Sequence, residues 1–175
     1  MTATPTPVNG VDLESIGALA SRIQTEPSTA ATVWQARVTW TGGFRSQAHI
    51  RDFEPLMSDE PAGLGGSDTA PNPVEQLLAA LGNCLAVGYA ANASAAGITI
   101  DDLHINLSGD LDLRTFLGLH DGNAGYEAIQ VSVELSSDAS QAQLKELHER
   151  VVGTSPVGHT LGRAVPLRIE LASAN

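Results

Sequence analysis

An α+β fold is what the order of elements along this chain predicts, and three features carry it. No charged side chain occurs from Gln76 to Ile100 apart from the flanks, a length suited to one extended helix. Short stretches in which apolar residues alternate stand before and after it. A second helical pattern, Leu144, Leu147, Val151 and Val152, precedes the last of these stretches. Strand pair, long buried helix, strands, amphipathic helix and final strand form an order in which helices segregate from an antiparallel sheet.

The elements follow in turn. Residues 1–10 are rich in Thr, Pro and Gly and read as irregular. Val11, Ile16, Leu19, Ala20 and Ile23 give Val11–Gln24 the spacing of an amphipathic helix, suited to docking on the outside of the domain or on a partner. Thr32–Trp40 reads as a strand, Gly42-Gly43 as a turn and Phe44–Phe53 as the returning strand. With a period of two, Arg45, Gln47, His49 and Arg51 share one face of that strand, while Phe44, Ala48 and Ile50 share the other.

Residues 58–73 are dense in Gly and Pro and read as a loop. Its end carries a helix start: Asn72 as cap, Pro73 at the first helical position and Glu75 in the first turn. The helix runs to about Ala96, where Gly97 ends it, and its uniformly apolar surface predicts burial on all sides. Ile98–Asp112 reads as a strand with a phase slip near Asp102, taken as a bulge or short break. Residues 113–126 read as a loop with three glycines, which lacks the lysine of a phosphate-binding loop. Ala128–Leu135 is a strand, and Asp138 or Ser140 caps the helix that follows. Gly153 breaks that helix, Thr154-Ser155-Pro156 restarts it briefly, and Pro166–Leu171 is the last strand. The chain divides into an extension with a short helix, residues 1–29, and one domain, residues 30–175.

Composition narrows the function classes. A formal net charge of −11 disfavours binding to nucleic acid or to an anionic membrane surface. The uncharged stretch is long enough to span a bilayer, but it is rich in Ala and Gly, interrupted by Asn83, Asn92, Ser94 and Thr99, and lacks close basic flanks. No Cys/His cluster has metal-ligand spacing, so neither a metal nor another cofactor is expected. The start of the chain has neither the basic residues nor the apolar run of a secretory signal, which makes the cytoplasm the expected location.

The chain has one cysteine, Cys84, in the middle of the uncharged helix. It reads either as a small buried hydrophobe or as a placed nucleophile. A mid-helix thiol has no help from a helix N-terminus, so its activation requires a neighbouring cation. Arg45 and His49, on one strand face, are the candidates. Glu75 suits the first turn of a helix on dipole grounds alone, with clamping of an arginine as the other reading. Ser155 suits a helix cap, and His159 follows it by four residues. A Ser155/His159 hydrolase pair lacks a nucleophile elbow and a third member.

Two separated segments resemble the OsmC/Ohr family of thiol-dependent peroxidases. Asn72-Pro73-x-Glu75-Gln76-Leu77-Leu78-Ala79-Ala80, followed by Cys84, is similar to that family's peroxidatic-cysteine helix. Ser155-Pro156-Val157-Gly158-His159-Thr160-Leu161 is similar to its second motif, which begins Cys-Pro in the peroxidases. The preceding Ser58-Asp59-Glu60-Pro61 with Gly65-Gly66 resembles the branch without a clear hydroperoxidase assignment. The likeness covers roughly residues 30–172.

The resemblance implies an OsmC-like fold, with antiparallel sheets wrapped around central helices in an intertwined homodimer and Cys84 near the subunit interface. It implies a thiol peroxidase acting on organic hydroperoxides in the response to oxidative stress. Cys84, Arg45 and Glu75 would be the catalytic residues, with His49, Ser155 and His159 around the substrate. Three departures bear on this. Ser155 stands where the second cysteine would be and cannot form a disulfide, so an external thiol is required. Val74 directly follows Asn72-Pro73, with Glu75 one residue later than in some peroxidases. Arg45 is offset by one residue from the assisting arginine. The other reading is a non-catalytic dimer that binds a small apolar or thiol ligand beside Cys84.

Overall fold

In the computed structural model, residues 7–172 are described. The irregular reading of residues 1–10 therefore falls outside the described residues as far as position 6. Val8–Gly10 form a 3₁₀ turn tied to the domain. Asn9, at φ 52°, donates from Nδ2 to Ser94 Oγ (3.1 Å) and Ile98 O (2.9 Å), and its Oδ1 accepts Ile100 N–H (2.9 Å). Helix α1, Leu13–Thr25, follows with Asp12 as its cap. Its apolar positions Leu13, Ile16 and Leu19 remain exposed.

A three-stranded antiparallel sheet comes next, in the order β1 (Arg37–Gly42), β2 (Arg45–His49) and β3 (Leu56–Ser58). The strands are shorter than their apolar patterns. Strand β1 begins at Arg37, not at residue 32, because its partner β2 ends at His49, which pairs with Arg37. Strand β2 ends there because Arg51 takes a left-handed backbone (φ 51°), which no extended strand accommodates. Arg51 thus leaves the Arg45/Gln47/His49 face, and its guanidinium lies 4.5 Å from the Phe53 ring centre. Strand β3 was not foreseen, since three residues are too few to show alternation; it pairs Leu56–Ser58 with Ser46–Ala48.

The loop from Asp59 to Asn72 is organised from within. Asp59, 1% exposed, accepts the N–H of Glu60, Ser67 and Thr69 and the Thr69 hydroxyl. Gly66 closes against the start of this loop so tightly that a Cβ there would stand 1.8 Å from Glu60 O, which only glycine permits. The loop delivers Asn72 to the start of α2, Pro73–Ala95, as one half of a capping box with Glu75. Gly97, at φ 71°, lies just beyond the other end.

Helix α2 is the spine of the molecule. Leu81, Leu85, Tyr89 and Ala93 recur every four residues and are buried with Ile98, Leu147 and Val151. Each such aliphatic burial contributes about 1.5–3 kcal/mol. Burial on all sides is corrected by the structure: this side is covered by strand β4 and the α4 and α5 helices, with the Val8–Gly10 turn and α1 over the far end. The β1–β3 sheet meets α2 only at its first turns, where Gln76 Nε2 donates to Met57 O at 2.9 Å, and among the described residues the opposite face stays open, with Val87 70% exposed. The length and apolarity of α2 would suffice for a membrane span, yet its Leu81–Ala93 stripe is committed to protein.

Strands β4 (Asp102–Leu111) and β5 (Tyr126–Ser136) form an antiparallel pair whose inward residues Leu103, Ile105, Leu107, Ile129 and Val133 pack against the core. Strand β4 starts at Asp102, so the phase slip there marks entry into the strand. The bulge lies at the far end, between Asp110 and Leu111. The glycine-containing segment opens with a one-turn helix α3, Leu113–Phe116, capped by Asp112.

Helix α4, Gln141–Thr154, is capped by Ser140 in a box with Gln143 and runs through Gly153 without breaking. Ser155 caps the short α5, Pro156–Leu161. No strand forms at Pro166–Leu171. That segment has no backbone pairing here, and Leu167, Ile169 and Leu171 are among the most exposed side chains, Leu171 at 99%. An alternating pattern makes a strand only where an edge is presented to it, and the single chain presents none at this place.

Candidate functional site

Cys84 sits midway along α2, half-buried, one residue before the core position Leu85. Its helix is fixed by the Asn72 cap at one end and by packing against β4 and α4 along the rest. Gly88, one turn on, allows α4 to approach closely: a Cβ there would meet Val151 Cγ1 at 3.0 Å. This brings the α4–α5 junction over the thiol. Ser155, 4% exposed, stands with Oγ 3.3 Å from Cys84 Sγ. The same Oγ accepts Gly158 N–H at 3.1 Å, which starts α5.

The cleft beside Cys84 has a volume of about 420 Å³. Asn83, Val87, Gly88, Ala91, Val151, Thr154, Ser155 and Pro156 line it with the cysteine, and none is charged. Ser155 also lines a second, larger cavity of about 540 Å³ on its other side. There Leu81, Leu85, Val131, Val133 and Val152 form apolar walls, and Tyr89, His148, His159 and Arg163 supply polar groups. The Tyr89 hydroxyl is 2.5 Å from His148 Nδ1, and burial pushes the phenol above its usual range.

Of the residues marked out in the sequence, the structure brings Ser155 alone to Cys84. Glu75 is nine residues earlier, about 13 Å along the helix axis at 1.5 Å per residue. Its carboxylate accepts Asn72 N–H at 2.9 Å in the capping box. It also raises the Tyr126 phenol, second to burial, while Tyr126 donates to Val74 O. Arg45 lies on the β1–β3 sheet, its Nε 3.4 Å from Gly42 O, and does not line the Cys84 cleft. His49 lines an open cleft with Trp34, Arg37 and Arg51. His159 holds Gly153 O at 3.0 Å and faces the larger cavity. The Ser155–His159 hydrogen bond among the described residues is a backbone one, His159 N–H to Ser155 O at 2.9 Å, and no side-chain bond joins them, so that pair lacks the contact a nucleophile and its base require.

Sequence reading missed Tyr89 and His148. The first continues the four-residue stripe of Leu81 and Leu85, and the second follows Leu147 on α4, so their placement near the core was there to be read. Their contact across two helices was not. Among the described residues, no group of three His, Cys, Asp or Glu side chains is placed to hold a metal ion.

A half-buried thiol in mid-helix, under a helix junction and backed by a two-stranded sheet, defines an α+β protein built around one cysteine. The model of the OsmC-like protein family matches residues 65–170, and the chain belongs to that family. The matched span holds both Cys84 and Ser155 and leaves out α1 and the β1–β3 sheet. No curated protein matches the chain.

Solved structures show the same fold. An OsmC-like protein from Mycoplasma pneumoniae is 23% identical, with a TM-score of 0.65 over 75% of this chain and 88% of its own. A protein from Psychrobacter arcticus described as responsive to osmotic stress and detoxification is 16% identical, with a TM-score of 0.61 over 74% and 89%. An organic hydroperoxide resistance protein from Legionella pneumophila is 16% identical, with a TM-score of 0.57 over 75% and 91%.

Proposed function

We propose that the chain is a one-cysteine thiol peroxidase acting on organic hydroperoxides in the response to oxidative stress. The observation that carries this reading is the position of Cys84: the only thiol, on the family-matched helix, opening on an uncharged cleft of about 420 Å³. An apolar cleft suits the alkyl part of a hydroperoxide. The resistance protein from Legionella pneumophila shares the fold.

In the reaction, the Cys84 thiolate attacks the terminal oxygen of the hydroperoxide. An S–O bond forms as the O–O bond breaks, the sulfur is oxidised by two electrons, and the alkoxide leaves as alcohol after taking a proton. Sulfenic acid remains on Cys84. An external thiol then displaces water to give a mixed disulfide, and a second thiol releases Cys84 and carries away a disulfide.

The thiolate needs a cation, and none lines its cleft among the described residues of one chain. A homodimer with exchanged arms meets that need: the β1–β3 sheet touches its own α2 only near the first turns, through Gln76 and Met57, and carries Arg45. In such a dimer the partner's Arg45 faces Cys84 and stabilises both the thiolate and the leaving oxygen. The exposed Val38 and Trp40 on the arm and Val87 on α2 supply the apolar contact.

The test is the intact mass of the protein after stoichiometric cumene hydroperoxide with dimedone present at neutral pH. A dimedone adduct within seconds, absent in Cys84→Ser, is the expected result. A thiol still unmodified after many minutes overturns the peroxidase. That outcome favours the second reading, a dimer that holds a small apolar or thiol ligand, for which the uncharged lining of the Cys84 cleft is the supporting observation.

A further inference from the structure

We infer that Ser155 is a positioning residue for the Cys84 sulfur, its hydroxyl donating the hydrogen bond that holds the thiolate form. The inference rests on the Cys84 chemistry proposed above and adds to it a group from the same chain. A serine hydroxyl has one proton and two lone pairs. One lone pair of Ser155 Oγ is taken by Gly158 N–H at 3.1 Å. Its proton has one acceptor in reach among the described residues, Cys84 Sγ at 3.3 Å.

While Cys84 is a thiol, either atom can donate. Once the thiol ionises, sulfur only accepts, and the bond must run from Ser155 to Cys84. A hydrogen bond that points one way in the charged state favours that state. The surroundings strengthen the effect. Ser155 is 4% exposed, so water does not compete for its proton. Among the described residues the cleft lining is uncharged, so the Ser155 hydroxyl is the polar group in contact with the sulfur there.

The hydroxyl is also fixed in place. Val151, 1% exposed and packed against α2, anchors the end of α4, and the bond from Gly158 sets the Ser155 side chain. Capping α5 is the competing explanation of the same serine, and it predicts a different outcome on substitution. Glycine is well tolerated as a helix cap but has no hydroxyl, whereas threonine keeps one.

The experiment measures the alkylation rate of Cys84 by iodoacetamide in wild type, Ser155→Gly and Ser155→Thr, at neutral pH and in strongly alkaline buffer. The ratio of the two rates cancels any change in access. Ser155→Gly is expected to lower that ratio about tenfold, the size of a lost hydrogen bond to a charged acceptor. Ser155→Thr is expected to stay near wild type. A Ser155→Gly variant with an unchanged ratio, whether or not it melts earlier, overturns the inference and leaves Ser155 as a cap. No peroxide enters this assay, so the two readings fail separately. A lowered ratio in a protein inert to hydroperoxide overturns the peroxidase alone. Prompt sulfenate formation with an unchanged ratio overturns this inference alone.

Discussion

Cys84 Sγ and Ser155 Oγ lie 3.3 Å apart, across the meeting of α2 with the α4–α5 junction. Seventy-one positions separate them along the chain, and the fold brings them into contact through Gly88, which lets α4 settle on α2. Two sulfurs carried at these positions need to approach to only about 2.0 Å to bond. Ser155→Cys is therefore expected to convert the one-cysteine protein into one that closes an internal disulfide. After one equivalent of cumene hydroperoxide, intact mass should show loss of two hydrogens and no dimedone adduct, reversed by reductant. Two free thiols after oxidation would show that the junction does not hold position 155 over the sulfur in solution.

Asp59 makes the loop ahead of α2 sensitive to acid. Burial pushes its carboxyl up, but the Thr69 hydroxyl and the N–H groups of Glu60, Thr69 and Ser67 outweigh burial and hold it below the ordinary value of 3.8. The unfolded chain then binds a proton at a higher pH than the folded one. The stabilisation is present above the unfolded value and disappears as pH falls through the lower folded value. Asp59→Asn is expected to be less stable than wild type at neutral pH, with the gap narrowing below about pH 4. Urea unfolding across that range measures it, and a gap that stays constant would exclude the carboxylate as its source.

Asn9 ties the extension to the domain with three hydrogen bonds, two of them to backbone groups on either side of residue 99. Asn9→Ala is expected to lower stability by about 1–3 kcal/mol, the cost of leaving such groups unpaired. Part of that loss belongs to the left-handed backbone at φ 52°, which asparagine tolerates better than alanine. Asn9→Gly separates the two contributions, since it relieves the backbone but restores no bond. Equal stability of wild type and both variants in chemical denaturation would mean that the clamp is open in solution.

What was legible in the sequence was what one element decides by itself. Asn72, Pro73 and Glu75 announced the start of α2, Gly97 its end, and Asp138 or Ser140 the start of α4, where Ser140 is the cap, because caps are local chemistry. The thiol and its serine were marked by their motifs. Strand ends were not legible, since Arg37 and His49 end together only by pairing with each other. What Arg45 meets was not legible for the same reason: a period of two puts it on a face but does not say what that face meets, and within one chain it does not line the Cys84 cleft. Pro166–Leu171 shows the limit most plainly, for an alternating pattern contains the wish for an edge and not the edge.

That missing edge, the open face of α2 and the arm that meets α2 only near its first turns point to one explanation. Leu167, Ile169 and Leu171, Trp40 at 73% exposure and Val87 at 70% are large apolar groups left in water. Burying such groups is worth about 25 cal/mol per Å². A second copy that brings its arm to α2 would cover Val87 and give the last segment a strand to pair with. Sedimentation velocity of the wild type is expected to give a dimer, and hydrogen exchange is expected to protect the amides of residues 167–171. Val87→Asp, which sets a carboxylate in the covered face, is expected to produce a monomer that loses that protection and forms sulfenate more slowly. A wild type that sediments as a monomer at micromolar concentration would remove the dimer and with it the partner's Arg45.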